Sequence, residues 1–254
     1  MKRALRAAVV GLVAGVAVAA HAVAAEIKVL SAGAFKPVVV AVAPLFEQRT
    51  GHKVVIDSDT AGGLAKRIAG GEAFDVAILT PPGVEQLVQA GKMAAGSSVA
   101  VARVGIGVAI KQGAPVPDVG SVAAFQQSLL KARAVAMIDP AAGGSSGIYL
   151  MSLFEKMGIA GQIKAKAVLV PGGLAAQRLV SGEADIALQQ ISELLSVPGV
   201  TVLGAIPADI QNYTVYAGGV SAAATDAGAA KAFLQMLGGP EARAVMKDKG
   251  MDAP

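Results

Sequence analysis

Four short segments of this chain carry small and hydroxylated residues in places suited to gripping an anion. They are Ser31-Ala32-Gly33-Ala34, Ser58-Asp59-Thr60-Ala61-Gly62-Gly63, Asp139 to Gly147, and Pro171-Gly172-Gly173. Each follows a short β-like run and precedes a helical pattern. Small side chains let a ligand approach the backbone. A helix start adds unpaired N–H donors and the positive end of a dipole. Several such starts meeting at one cleft can hold an anion without a formal charge. The same residue types are ordinary helix caps, so the set points to a ligand more strongly than any one loop.

Other chemistries fit the residues poorly. Gly143-Gly144-Ser145-Ser146-Gly147 has the spacing of a hydrolase nucleophile. Ser145, however, lies six residues beyond Asp139, too far for a tight strand-to-helix elbow. The base should follow the serine, whereas His52 precedes it beside a turn glycine and reads as a solvated turn residue. Gly105-Ile106-Gly107 lacks the third glycine and the helix of a dinucleotide fingerprint. Cysteine is absent and histidine occurs twice, so thiol catalysis and histidine-rich metal sites are excluded. Arg103 is either a two-bond clamp for a carboxylate or half of a surface ion pair, and Lys36 poses the same choice. Asp59 beside an anion would repel it and should cap its helix, pointing away. Thr80 either offers a hydroxyl to the cleft or caps the helix at Pro81. Tyr213 and Tyr216 read as packing residues.

The elements that must position these loops alternate. Apolar runs at 27–30, 53–57, 74–80, 99–110, 135–138, 166–170, 186–189, 200–205 and 213–217 read as strands. Helix spacing follows many of them, at 35–46, 64–69, 148–157, 171–180, 191–195, 227–237 and 240–249. Such alternation predicts parallel sheets covered on both faces, with ligands at the carboxyl ends of the strands.

Residues 1–25 read as a secretory signal peptide. Lys2, Arg3 and Arg6 precede an apolar run, and Ala22-Val23-Ala24-Ala25 offers an A-x-A-like cleavage site. Its removal takes three of the 22 cations, leaving 19 against 18 acids. A balance of +1 does not suit a nucleic-acid binder. With no cysteine for disulfides, apolar packing must hold the exported chain together. Few aromatics and no tryptophan lower the weight of a sugar site.

The runs Ile27-Lys28-Val29-Leu30-Ser31-Ala32-Gly33-Ala34-Phe35, Thr60-Ala61-Gly62-Gly63-Leu64-Ala65-Lys66-Arg67-Ile68 and Phe74-Asp75-Val76-Ala77-Ile78-Leu79 resemble the molybdate-binding type of periplasmic solute-binding protein (bacterial extracellular solute-binding family 11). So does Asp139-Pro140 followed by Ser146-Gly147-Ile148-Tyr149. The resemblance implies an α/β fold, a two-lobe type II clamshell in which each lobe is a mainly parallel sheet flanked by helices. It places one lobe in residues 26–104 plus 216–254 and the other in 105–215. It implies no enzyme, no cofactor and no bound metal. The protein would be a monomeric, periplasmic subunit of an ABC importer, with a membrane permease as partner. Carried over residue by residue, the resemblance puts ligand contacts at Ala34, at Thr60 and Ala61 of the loop Thr60-Ala61-Gly62, and at Ser146, Gly173 and Gln190, and the candidate ligand set adds Phe35, Thr80, Arg103 and Ser145. Gln190 stands where the family has a tyrosine, and Ala34 where it has a serine. The sequence Gln190-Ile191-Ser192-Glu193 is similar to a lineage whose ligands are small organic acids, so molybdate or tungstate and an organic carboxylate both stay open. An exported small-acid isomerase working with Asp or Glu is the alternative from another class, and a ligand sensor for a membrane receptor is a third. The enzyme alternative requires a cleft carboxylate of unusual pKa, such as Asp59 or Asp139.

Overall fold

The computed structural model describes residues 24–254, so the signal-peptide reading falls almost entirely outside the described residues. The first part of the chain alternates β1 (Glu26–Ala32), α1 (Lys36–Thr50), β2 (Lys53–Asp59), α2 (Ala61–Ala69), β3 (Val76–Leu79) and α3 (Pro81–Gln89). The long strand β4 (Val99–Lys111) follows. Next come α4 (Val122–Lys131), β5 (Val135–Ile138), α5 (Ser145–Lys156), α6 (Ala160–Lys164), β6 (Ala167–Val170), α7 (Gln177–Val180), β7 (Ile186–Gln190), α8 (Ile191–Leu194) and β8 (Val200–Ala205). The chain closes with β9 (Tyr213–Val220), α9 (Ala227–Leu237), α10 (Pro240–Asp248) and β10 (Met251–Asp252).

The strands form one curled mixed sheet ordered β2-β1-β3-β9-β4-β7-β5-β6, with β8 and β10 also pairing β4. The pairs β1–β2, β1–β3, β5–β6 and β5–β7 are parallel, as the alternation predicts. The pairs of β9 with β3 and β4, and those of β4 with β7, β8 and β10, are antiparallel. Each of these pairs includes β4 or β9, the two strands that pass between the halves, and an antiparallel pair needs no crossover helix. Strands β3, β5 and β7 are buried along their whole length, which explains their unbroken apolar runs.

Strand β4 crosses the molecule. Val99 to Gly105 pair with β9, and Ile106 to Lys111 pair with β7 or β8. The buried apolar clusters divide at the same place. Two draw on residues 27–104 and 216–251, and two on residues 106–206. Gln211 ties the return crossing to the outgoing one. Its side chain accepts from Ile106 N–H and donates to the Ile106 carbonyl, both at 2.9 Å.

Three local readings differ from the sequence expectation. The helix expected from Pro171 begins only at Gln177, after a turn in which Gly173 has φ +82. Helix α4 and the short helix α6 carry too few periodic apolar residues to stand out. Only Phe125 and Leu129 of α4 are buried.

Candidate functional site

The carboxyl ends of β1, β2, β5, β6 and β7 open onto one cavity of about 330 Å³ between the two halves. Three helices begin there. Helix α1 starts beside Ala34 with no side-chain cap, and α5 starts at Ser145 behind Gly144, again with no side-chain cap. Helix α2 starts at Ala61 behind Thr60, whose hydroxyl accepts from Gly63 N–H at 2.9 Å. At α5 such uncapped first-turn amides are the donors an anion seeks, whereas at α1 the Phe35, Lys36 and Val38 amides already donate to backbone carbonyls and Pro37 has none.

Seven of the ten ligand residues read from the sequence line this cavity. Ala34, Thr60 and Ala61 come from one half, and Ser145, Ser146, Gly173 and Gln190 from the other. The remaining three lie outside its lining. Phe35 is wholly buried in the core under α1. Thr80 precedes α3 and makes no cap bond. Arg103 takes the surface-pair alternative. Its side chain is half exposed, 3.5 Å from Asp252 and stacked over the Tyr213 ring at 5.3 Å. Lys36 does reach the cavity wall.

Hydrogen bonds occupy much of the hydroxyl set. Thr60 Oγ1 also donates to the Ala142 carbonyl of the opposite half, so its hydroxyl joins the walls. Gly62 N–H donates to the Gly143 carbonyl at 3.1 Å beside it. Gln190 is set by its surroundings. In the amide orientation that satisfies them all, its nitrogen donates to Glu193 Oε2 at 2.8 Å and to Ser146 Oγ at 3.0 Å. Its oxygen accepts from Ser145 Oγ at 2.8 Å and Ser146 N–H at 3.2 Å. Gln189, missed by the sequence reading, pins the loop before α7, donating to the Gly173 carbonyl and accepting from Ala175 N–H, each at 2.8 Å.

The main addition is Glu193. It lines the cavity from α8, is 7% exposed, and makes no ion pair among the described residues. Burial pushes its carboxyl up to about 8, offset only in part by the Gln189 amide. At neutral pH it is chiefly a neutral acid, so it does not repel an anion. Tyr216, read as packing, also lines the cavity. Burial, and then the Glu193 charge, raise its phenol above the ordinary range, so it stays a neutral donor. Gly33 leaves room for this group, since a Cβ there would sit 2.7 Å from Glu193 Oε1.

Asp59 behaves in part as expected. Its Oδ1 accepts Thr60 N–H at 2.7 Å and its Oδ2 lies 3.6 Å from Arg67, yet it still borders the cavity. Asp139 caps the turn after β5 through Ala141 N–H at 2.9 Å. The glycines of the G-x-S-x-G stretch serve packing. A Cβ on Gly147 would lie 2.1 Å from the Ile138 carbonyl oxygen. His52 accepts Ala25 N–H at 3.0 Å and stacks on Phe46, so it is held more firmly than a solvated turn residue. No group of three or more His, Asp or Glu that could hold a metal occurs among the described residues.

Comparison with known proteins places this geometry in context. A family model described as bacterial extracellular solute-binding protein matches residues 27–252. An aconitate isomerase of Pseudomonas sp. is 35% identical over 229 residues, covering 88% of this chain and 86% of its own. The periplasmic molybdate-binding protein of Azotobacter vinelandii superposes with a TM-score of 0.75 at 22% identity, over 90% of this chain and 100% of that one. The sulfate-binding protein SubI of Mycobacterium tuberculosis H37Rv gives a TM-score of 0.72 at 18% identity, over 90% and 87%. At these identities the two structures speak for the fold, a two-lobe type II periplasmic binding clamshell.

Proposed function

This chain belongs to the bacterial extracellular solute-binding protein family, and from that premise we propose that it binds a small organic acid, as its carboxylate, in the cleft between the lobes. In this reading it is periplasmic and presents the closed, loaded form to the permease of an ABC importer. The observation that carries the choice of ligand is the cavity itself. Its volume of about 330 Å³ falls at the lower end of the roughly 300–1,000 Å³ usual for organic ligands. A five-atom oxyanion would leave most of it unfilled. Pro37, Val40, Ile138 and Leu174 offer apolar wall to a carbon skeleton. The start of α5 and the Ser146 hydroxyl offer donors to its carboxylates. Those donors favour a guest that uses all of them, because a poorly fitting one leaves buried polar groups unpaired.

A second reading, an exported isomerase of a small acid, is favoured by one specific observation. The cleft holds the carboxyl of unusual pKa that this alternative requires, at Glu193. The 35% identical relative is named an aconitate isomerase, and cis- and trans-aconitate are therefore the first acids to try.

A thermal-shift panel tests both readings. It sets molybdate, tungstate, sulfate and phosphate beside di- and tricarboxylates that include both aconitates. A ligand at 100 times its Kd adds about 2.7 kcal/mol of stability. The proposal expects a shift with a carboxylate and none with the oxyanions. A shift with molybdate or tungstate alone removes it. NMR of the same samples shows whether any acid turns over.

A further inference from the structure

We infer that the Glu193 carboxyl exchanges a proton with a carbon atom of the acid bound in the cleft, so that the site can move a hydrogen along that acid's skeleton as well as hold it. The inference rests on the reading that the cleft takes a carboxylate.

Four observations carry it. Glu193 is buried at the cavity wall with no cation beside it among the described residues. An amide would fill the same volume and make the same bond to Gln190 without the cost of burying an acid, so packing alone does not account for a carboxyl here. Gly33 lets the first loop of the opposite half pack against Oε1, where a Cβ would come to 2.7 Å, so the carboxyl stands at the junction of the two halves. The uncapped start of α5 and the positive dipole end of α1 border the same cavity. There they can stabilise negative charge that spreads onto a carboxylate when a neighbouring carbon loses its proton.

The step balances without a cofactor. Ionised Glu193 takes a proton from a carbon next to a carboxylate: one C–H bond breaks, one O–H bond forms, and the electron pair delocalises into the carboxylate. The same O–H then returns the proton. Where that O–H first trades its proton for one from solvent, return to the original carbon gives exchange with solvent. Where the carbanion is conjugated to a C=C bond, return to the far carbon shifts that double bond. A group that both accepts and gives a proton works best with a pKa near the working pH, and burial holds Glu193 at about 8. The other titratable groups at the cavity are Tyr216 from β9, Asp59 at the end of β2 and Lys36 at the start of α1. Tyr216 stays neutral, and Asp59 is paired with Arg67.

The test uses the full mature chain with trans-aconitate in deuterated water. Binding is followed by calorimetry and C–H loss by proton NMR. The expected result is binding together with deuterium uptake at carbon, rising with pH through about 8. Glu193→Gln should still bind and melt cooperatively, while exchange falls about 10²-fold or more. Binding by the wild type with neither deuterium uptake nor a shift of the double bond overturns the inference and leaves the binding reading standing. Exchange that persists in Glu193→Gln, or a flat wild-type profile from pH 6 to 9, also overturns it. The wild-type profile decides the matter even if the variant fails to fold. If neither trans-aconitate nor any other carboxylate binds, the binding reading falls and the inference falls with it.

Discussion

Gly62 and Gly143 face each other across the cleft, backbone against backbone. The Gly62 N–H donates to the Gly143 carbonyl at 3.1 Å, and a Cβ on Gly62 would lie 2.8 Å from the Gly143 Cα. No side chain can stand at Gly62 while the lobes touch there. Gly62 itself stands in the first turn of α2, where alanine is also the better helix former, by less than the roughly 1 kcal/mol of a helix interior. Gly62→Ala should therefore hold or raise the melting temperature of the unliganded protein while weakening ligand binding about tenfold or more. Paired melts and titrations check this, and equal losses in both would speak against a closure contact. Gly62 is the cleaner site for the test, because Gly143 also sits at φ +79, where any side chain adds strain.

Glu193 should leave a signature in stability as well as in exchange. Its carboxyl sits near 4.5 in a free chain and at about 8 in the fold. Between those values the folded protein keeps a proton that the unfolded chain has released. Stability contributed by this group is thus fully present at pH 4 and falls as pH rises through 8. The loss is on the order of a few kcal/mol. Glu193→Gln should flatten that slope and be the more stable protein at pH 9. Urea melts from pH 5 to 9 measure it.

The legibility of the sequence followed the range of the interactions. The loops Ser31–Ala34, Thr60–Gly63 and Gly144–Ser146 were readable because a strand end, small residues and a helix start lie together in the chain. The arrangement of helix starts around one cavity follows from that alternation. Glu193 was not readable as a site residue. It stands in a four-residue helix, where an acid near the start is an ordinary cap. Its burial depends on Gly33, some 160 positions earlier, letting the first loop close over it. Tyr216 was hidden for a related reason, since one side chain serves both the core and the cavity wall. Arg103 stood open between a ligand clamp and a surface ion pair because its strand crosses between the lobes, and it takes the second place, facing Asp252 and Tyr213 on the surface.

Arg67 should govern the acid side of the stability curve. Its guanidinium binds Glu72 at 2.6 Å and also pairs with Asp57. Hydrogen bonds from Arg67, then from Lys28, hold Glu72 down to about 2. A carboxylate lowered in the fold adds stability above its unfolded value of 4.5 and loses it as pH falls toward 2. The groups are partly exposed, so the contribution is about 1 kcal/mol. Arg67→Ala should cost that much at pH 7 and only a small part of it at pH 2. It should also weaken anion binding, because Asp59 then borders the cavity with its charge unpaired.

Ser192 offers a test of how the two halves are joined beneath the cavity. Its hydroxyl is fully buried and donates at 2.8 Å to the carbonyl of Ala34, in the first loop of the opposite half. Ser192→Ala removes that donor and leaves a buried carbonyl short of a partner, a cost of about 1–3 kcal/mol. The bond exists only while α8 and the first loop are together, so its loss should act on release more than on capture. The dissociation rate of the bound acid should rise about tenfold or more while the association rate changes little. Hydrogen exchange should quicken at Ala34 and Phe35 before it does in β5 or β7. If both rates change together, or if protection falls across the whole chain, the bond is a general support of the fold and has no special part in closure.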